Sequence, residues 1–298
     1  MSVAPTGSDS SATLTPPVRR RAAWRRFGKS MGLSGAIGGA TVGFWLLVAV
    51  LGPELAPHGV GEIVSYEVFE PMSASYPLGT DYLGRDMLSR VMNGARFTVG
   101  LALAAALLAS IAGTALALLA SVSGRWLDEI LSRLLDAVIC IPSKIFALVM
   151  VAAFGSSLPI LWLTAAVTYV PGAFRIARSL AVNLNTMEYV QVARARGESR
   201  FYIACAEVLP NMIHPMLADF GLRFMFIVLL LSGLSFLGLG VQPPDADLGS
   251  LVRENISGLP EGAPAVVLPA VAIATLTIGV NLVIDGLAGR SRRAAGLT

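Results

Sequence analysis

The 298-residue chain is 55% hydrophobic and only 14% charged, with a mean hydropathy of +0.70, whereas a soluble globular domain carries about 25% charged residues. This balance excludes an ordinary soluble domain and points to a polytopic membrane protein. The net charge of +3 and isoelectric point near 9.1 do not indicate nucleic acid, because the arginines fall in loops, where they set membrane orientation.

Residues 1–18 are rich in Ser, Thr, Pro and Gly and are expected to be disordered. The block "RRRAAWRRFGK" at 19–29 interleaves cations with Trp24 and Phe27, as suits an interfacial segment beside anionic lipid. Residues 1–30 therefore read as a disordered, basic cytoplasmic tail. A basic block before an apolar run resembles a signal peptide. The run from 31 to 51 is longer than the ~7–15-residue core of such a peptide, and no small-residue cleavage site clearly follows, so an uncleaved first span is expected.

A span needs about 20 apolar residues to cross ~30 Å of hydrocarbon. Six runs qualify: 31–51, 97–121, 137–155, 157–174, 212–240 and 264–288. Most are rich in Gly, Ala and Ser, which lets helices approach closely in lipid. They are expected to be helices, because backbone polar groups have to be satisfied internally there. With the N-terminus inside, sixteen Lys and Arg residues fall on the inner side and four on the outer. Both termini are therefore expected in the cytoplasm. The fold class is an all-α polytopic membrane protein with six transmembrane helices over residues 31–290, and a cytoplasmic tail at 291–298.

Between the first two spans, "LGTDYLGRDMLSRVMNGAR" predicts an amphipathic helix at the outer face, with Thr80 or Asp81 as N-cap. Leu83, Met87, Leu88, Val91 and Met92 recur at helical spacing. Asp81–Arg85 and Asp86–Arg90 are i,i+4 pairs. Capping and surface pairing account for Asp81 and Asp86 without catalysis.

The stretch "EYVQVARARGESRFYIACAEVLPN", residues 188–211, is polar and lies on the inner, arginine-rich side. Its halves, 188–196 and 198–208, each favour helix. Gly197 permits a sharp turn between them, and Pro210 is expected to stop the helix at the mouth of the fifth span. A rigid double-helical knob of this kind suits docking into a groove on another protein, although periodicity alone does not separate it from an ordinary interfacial loop.

The spacing of this stretch resembles the coupling loop of bacterial ABC importer permeases: Glu-Ala-Ala, three residues, Gly, nine residues, Ile, one residue, Leu-Pro. Gln191, Val192 and Ala193 hold the first triplet, Gly197 the glycine, Glu207 the isoleucine place, and Leu209 and Pro210 the end. Gln191, Val192 and Glu207 depart from the pattern in identity. The 80s stretch, "GLSFLGLGVQPP" at 233–244 and "NLVIDGL" at 281–287 resemble the C-type subunit of the dipeptide/oligopeptide (and nickel) permease family, over roughly residues 35–290.

The resemblance implies a bacterial inner-membrane permease subunit forming half of a pathway for peptides or similar small polar solutes. Its implied partners are a homologous permease subunit, two cytoplasmic ATP-binding subunits and an extracytoplasmic substrate-binding protein. Glu188, Gln191, Ala193, Gly197, Glu207, Leu209 and Pro210 would form the ATPase-coupling surface. The chain has no G-x-x-x-x-G-K-[ST] loop, no H-E-x-x-H and no G-x-S-x-G, so no enzyme and no cofactor is expected. Cys140 and Cys205, expected as free thiols, make no metal or disulfide framework, and His58 and His214 match no ligand spacing. The rival reading is an ion-coupled secondary transporter, which calls for ionisable groups inside the membrane. Lys144, Asp219, Arg223 and Asp285 are the candidates. Asp285 lies near a boundary, while Asp219 and Arg223 are spaced to pair. Lys144, about seven residues inside the third span, either snorkels to the headgroups or faces the pathway near Asp219.

Overall fold

The computed structural model describes residues 33 to 294; the predicted N-terminal tail lies outside them. Besides a 3-10 turn at Ile256–Gly258, nine helices follow in order among the described residues: α1 (Leu33–Leu55), α2 (Met87–Ser123), α3 (Arg125–Ile139), α4 (Ser143–Phe154), α5 (Leu158–Leu184), α6 (Glu188–Ala195), α7 (Arg200–Phe236), α8 (Leu248–Glu254) and α9 (Pro264–Ala294). No strand is present among them, only two isolated bridges, Ile63 with Arg85 and Thr80 with Asp86.

Five of these helices, α1, α2, α5, α7 and α9, are long and apolar enough to cross a membrane. The third predicted span needs correction. Instead of one helix over 137–155, α3 and α4 meet at 84°, and they make a sixth crossing only if counted as one broken span. The break falls at Cys140–Ile141–Pro142, where Pro142 cannot continue the helix of α3 and instead precedes α4. The 12 residues of α4 reach only ~18 Å, short of the ~30 Å hydrocarbon layer. The amphipathic α3 is held along α5 instead, through Asp128 to Arg178 and through Asp136 to Arg175.

The core is built on small residues. Ala102, Ala105, Ala106 and Ala109 of α2 and Ala165, Ala166, Ala173 and Ala177 of α5 are fully buried. Gly113 of α2 lies so close to Ala173 that a side-chain carbon there would overlap it. With little hydrophobic drive between helices in lipid, such close approach supplies the packing contacts. Trp45 of α1 donates to Thr275 Oγ1 of α9 at 3.1 Å and fastens the outer pair.

The end of the bundle formed by residues 56–86 and α8 is organised by buried charge. The expected helix start at Thr80 or Asp81 is not found. Asp86 is the N-cap of α2, accepting from Ser89 N at 3.1 Å and Ser89 Oγ at 2.6 Å, while residues 80–86 form turns and bridges. The Asp81–Arg85 pair does form, at 2.7 Å, but within a turn. Arg90 pairs with Asp81 at 3.1 Å and Glu254 at 2.8 Å rather than with Asp86. Nor is this surface pairing: Asp81 is 0% and Arg90 2% exposed. Two arginines facing two carboxylates close the network, and Asn255 Oδ1 accepts from Tyr82 N at 3.0 Å to join α8 to the same turn. Burial raises the Glu254 carboxyl above its ordinary range, against the pull of Arg85.

Candidate functional site

The 188–211 stretch sits at the opposite end of the bundle. Its first half is α6, whose Val190 and Ala193 are buried at i,i+3 while the rest of the helix is exposed. The helix ends in a Schellman closure: Gly197 N donates to Arg194 O at 3.0 Å and Glu198 N to Ala193 O at 3.2 Å. Gly197 has φ of +80°, a conformation that costs an L-residue with a side chain roughly 1–2 kcal/mol. Ser199 then caps α7, its Oγ accepting from Tyr202 N at 3.2 Å.

Pro210 does not stop the helix as its ring predicts. Residues Ile203–Val208 widen into a π turn in which Leu209 N donates to Ala204 O. Pro210 stands just inside the segment that follows, where its missing N–H is accommodated. The second half of the insert is therefore the first two turns of α7 itself, continuous with a membrane span.

The insert is fastened to two helices, α2 and α5. Val190, Ala193, Ile203, Ala204 and Val208 pack with Ala117, Leu118 and Ala120 of α2 and with Phe174, Ala177 and Ala181 of α5. Asn185, just after α5, is the polar centre. Its Nδ2 donates to Ser121 O at 3.4 Å, its Oδ1 accepts from Arg194 at 3.2 Å, and its carbonyl accepts from Gln191 Nε2 at 2.9 Å. Arg200 Nη1 reaches Ser123 O at 3.4 Å.

The sequence-predicted residues divide by this packing. Glu188 and Pro210 are exposed, Ala193 is buried, and Glu207 and Leu209 are half-buried. Gln191 is exposed, and its amide donates to the Asn185 carbonyl. The most exposed large apolar side chains of the stretch are Val192, Phe201 and Tyr202, 50%, 78% and 45% exposed. Phe201, Tyr202 and Asn185 were not singled out by the sequence. The signal for the first two is an aromatic pair inside a polar segment; for Asn185 it is a polar residue ending an apolar span.

The intramembrane candidates separate. Asp219 accepts from Arg223 Nε at 2.6 Å and Nη2 at 3.0 Å, both side chains being buried, and Arg223 Nη1 donates to Tyr169 O of α5 at 2.9 Å. Lys144 is exposed at the second position of α4, directly after the bend, rather than seven residues along a straight span. Among the described residues no ion pair joins it to Asp219. Asp285 is exposed on α9, and Cys140 and Cys205 are free and exposed.

Known proteins similar to this chain are named as transport permeases. Residues 110–295 match the family described as binding-protein-dependent transport system inner membrane component. The chain is 31% identical over 243 residues to a dipeptide transport system permease protein of Alkalihalophilus pseudofirmus, covering 82% of this chain and 80% of that one. It is 31% identical over 289 residues to a di/tripeptide transport system permease protein of Pseudomonas aeruginosa, covering 94% and 93%. It is 29% identical over 265 residues to a glutathione transport system permease protein of Pectobacterium atrosepticum, covering 89% and 87%. The chain therefore belongs to the family of binding-protein-dependent transport system inner membrane components and is a multi-pass inner-membrane permease of an ABC importer.

Proposed function

We propose that this permease forms half of a translocation pathway for a peptide or similar small polar solute, and that residues 188–211 are the surface on which an ATP-hydrolysing subunit acts. A homologous permease subunit completes the pathway, two ATP-binding subunits lie on the cytoplasmic side with both chain termini, and an extracytoplasmic binding protein delivers the solute. ATP is hydrolysed on those separate subunits. The observation that supports the reading best is that α6 and the start of α7 bury one face in the bundle while Val192, Phe201 and Tyr202 stay exposed.

The coupling is mechanical. Asn185 joins α6 to the end of α5 and to α2, and the π turn joins the insert to α7 without a flexible linker. A push on the insert therefore moves α5 and α7 as rigid bodies. Nucleotide and solute need share no contact, provided each favours one state of these helices. The peptide assignment is supported by the relatives named for di- and tripeptides and for glutathione.

Cysteines placed at Val192 and Phe201 test the surface. In the assembled importer they are expected to cross-link to an ATP-binding subunit, with yield that changes between nucleotide-free and ATP-bound states. Absence of such cross-links, with the complex intact, overturns the assignment.

A further inference from the structure

At the α6 end of the bundle, α2 and the first half of α7 leave a cleft of about 790 Å³ between them. Its walls are apolar, with Ile111 and Leu119 of α2 opposite Ile213 and Leu217 of α7, and Arg200 is the one charged residue lining it. A second, more polar hollow of about 430 Å³ adjoins it through Val122 and Arg200, and adds Arg194 and Glu198. Two guanidinium groups against one carboxylate leave the hollow cationic. Both arginines have donors to spare: each guanidinium carries five N–H groups, and the two hold Ser123 O and Asn185 Oδ1 through one contact each.

A greasy slot that ends in a cationic pocket matches an amphiphile with an anionic head. The protein's own basic segment, 19–29, has the wrong charge sign for that pocket. A bundle seated in the inner membrane is surrounded by molecules of the right kind, and basic pockets between spans at the membrane edge are suited to anionic headgroups. The geometry points to a phospholipid site: an acyl chain lies between α2 and α7, and the phosphate of an anionic headgroup is held by Arg200 and Arg194. The site borders the π turn of α7, so the lipid packs against the segment through which the insert meets its span. The inference rests on membership of the inner-membrane family, not on the coupling role of the insert, and its readout is bound lipid rather than transport.

The test uses the assembled importer in nanodiscs of mixed phosphatidylglycerol and phosphatidylcholine, followed by mild detergent extraction and mass spectrometry of the retained lipid. The wild type is expected to retain phosphatidylglycerol in excess over the bulk ratio. Arg200→Gln, a surface change that leaves the core intact, is expected to lower that excess by about fivefold. Ala115→Trp places a large ring in the cleft from an exposed position and is expected to reduce retained lipid of both kinds. Arg133→Gln, at an exposed arginine outside both hollows, is expected to change neither. The proposal is overturned if Arg200→Gln retains the wild-type lipid ratio. It is equally overturned if a cysteine at Ala115 cross-links to the second permease subunit, since a protein then fills the cleft.

Discussion

Arg223 holds Asp219, one turn away on α7, through two hydrogen bonds of 2.6 and 3.0 Å, and directs its remaining nitrogen to the Tyr169 carbonyl of α5 at 2.9 Å. The pair thus neutralises two charges inside the bundle and pins α7 to α5. Tyr169 returns the contact, its hydroxyl donating to Phe226 O at 3.2 Å. Arg223→Leu leaves Asp219 buried and unpaired and is expected to cost roughly 3–5 kcal/mol, whereas the double change Asp219→Leu with Arg223→Leu removes both charges and is expected to recover most of the loss. Thermal unfolding in detergent checks this. A double variant no more stable than the single one contradicts the pairing account.

Glu254 ties the other end of the bundle to pH. Burial raises its carboxyl above the ordinary glutamate value. A carboxyl whose folded pKa is raised binds its proton more tightly when folded, so the folded state gains stability as pH falls through the window between the unfolded and folded values. Wild type is therefore expected to gain stability relative to Glu254→Gln as pH falls from 7 toward 4.5. A difference that stays flat over that range shows that the carboxyl keeps its charge.

Lys144 stands exposed directly after the 84° bend between α3 and α4. If it lines the solute path, Lys144→Met is expected to reduce transport severalfold while ATP-binding subunits assemble normally, and Lys144→Arg is expected to be milder because the charge survives. Wild-type transport by Lys144→Met across substrate concentrations assigns the lysine to the headgroups instead.

What the sequence disclosed and what it hid follow from the physics of each signal. Apolar length marked the spans because a bilayer demands it, and Gly197 was legible because a tight reversal needs positive φ. Hydropathy averages over Cys140–Ile141–Pro142 and so missed the bend, since a proline turn between apolar residues is as apolar as a helix. The i,i+4 spacing of Asp81 and Arg85 reads as helix, yet a turn brings the same two groups together. The partner that buries them, Glu254, lies more than 160 residues away, beyond any local pattern. Pro210 read as a stop because the ring removes one bond, whereas the π turn before it changes the register and lets the helix continue. At the insert, spacing places Gly197 at the turn, but the exposed face is set by which sides of α6 and α7 the bundle covers. That choice is tertiary, and it brings Phe201 and Tyr202 forward while tying the exposed Gln191 to the Asn185 carbonyl.

We propose that the insert is a rigid coupling surface whose turn depends on Gly197. Substrate-stimulated ATP hydrolysis by the reconstituted importer, measured with the amount of ATP-binding subunit that co-purifies, tests it most directly. The Cβ of Gly197→Val meets no neighbouring atom, but the backbone there sits at φ of +80°, so the substitution strains the turn without disturbing the membrane bundle. The expected result is normal membrane insertion, reduced co-purification and reduced stimulated hydrolysis, with Gly197→Ala intermediate. Wild-type co-purification with full stimulated hydrolysis in Gly197→Val would leave the insert a passive loop rather than a coupling surface.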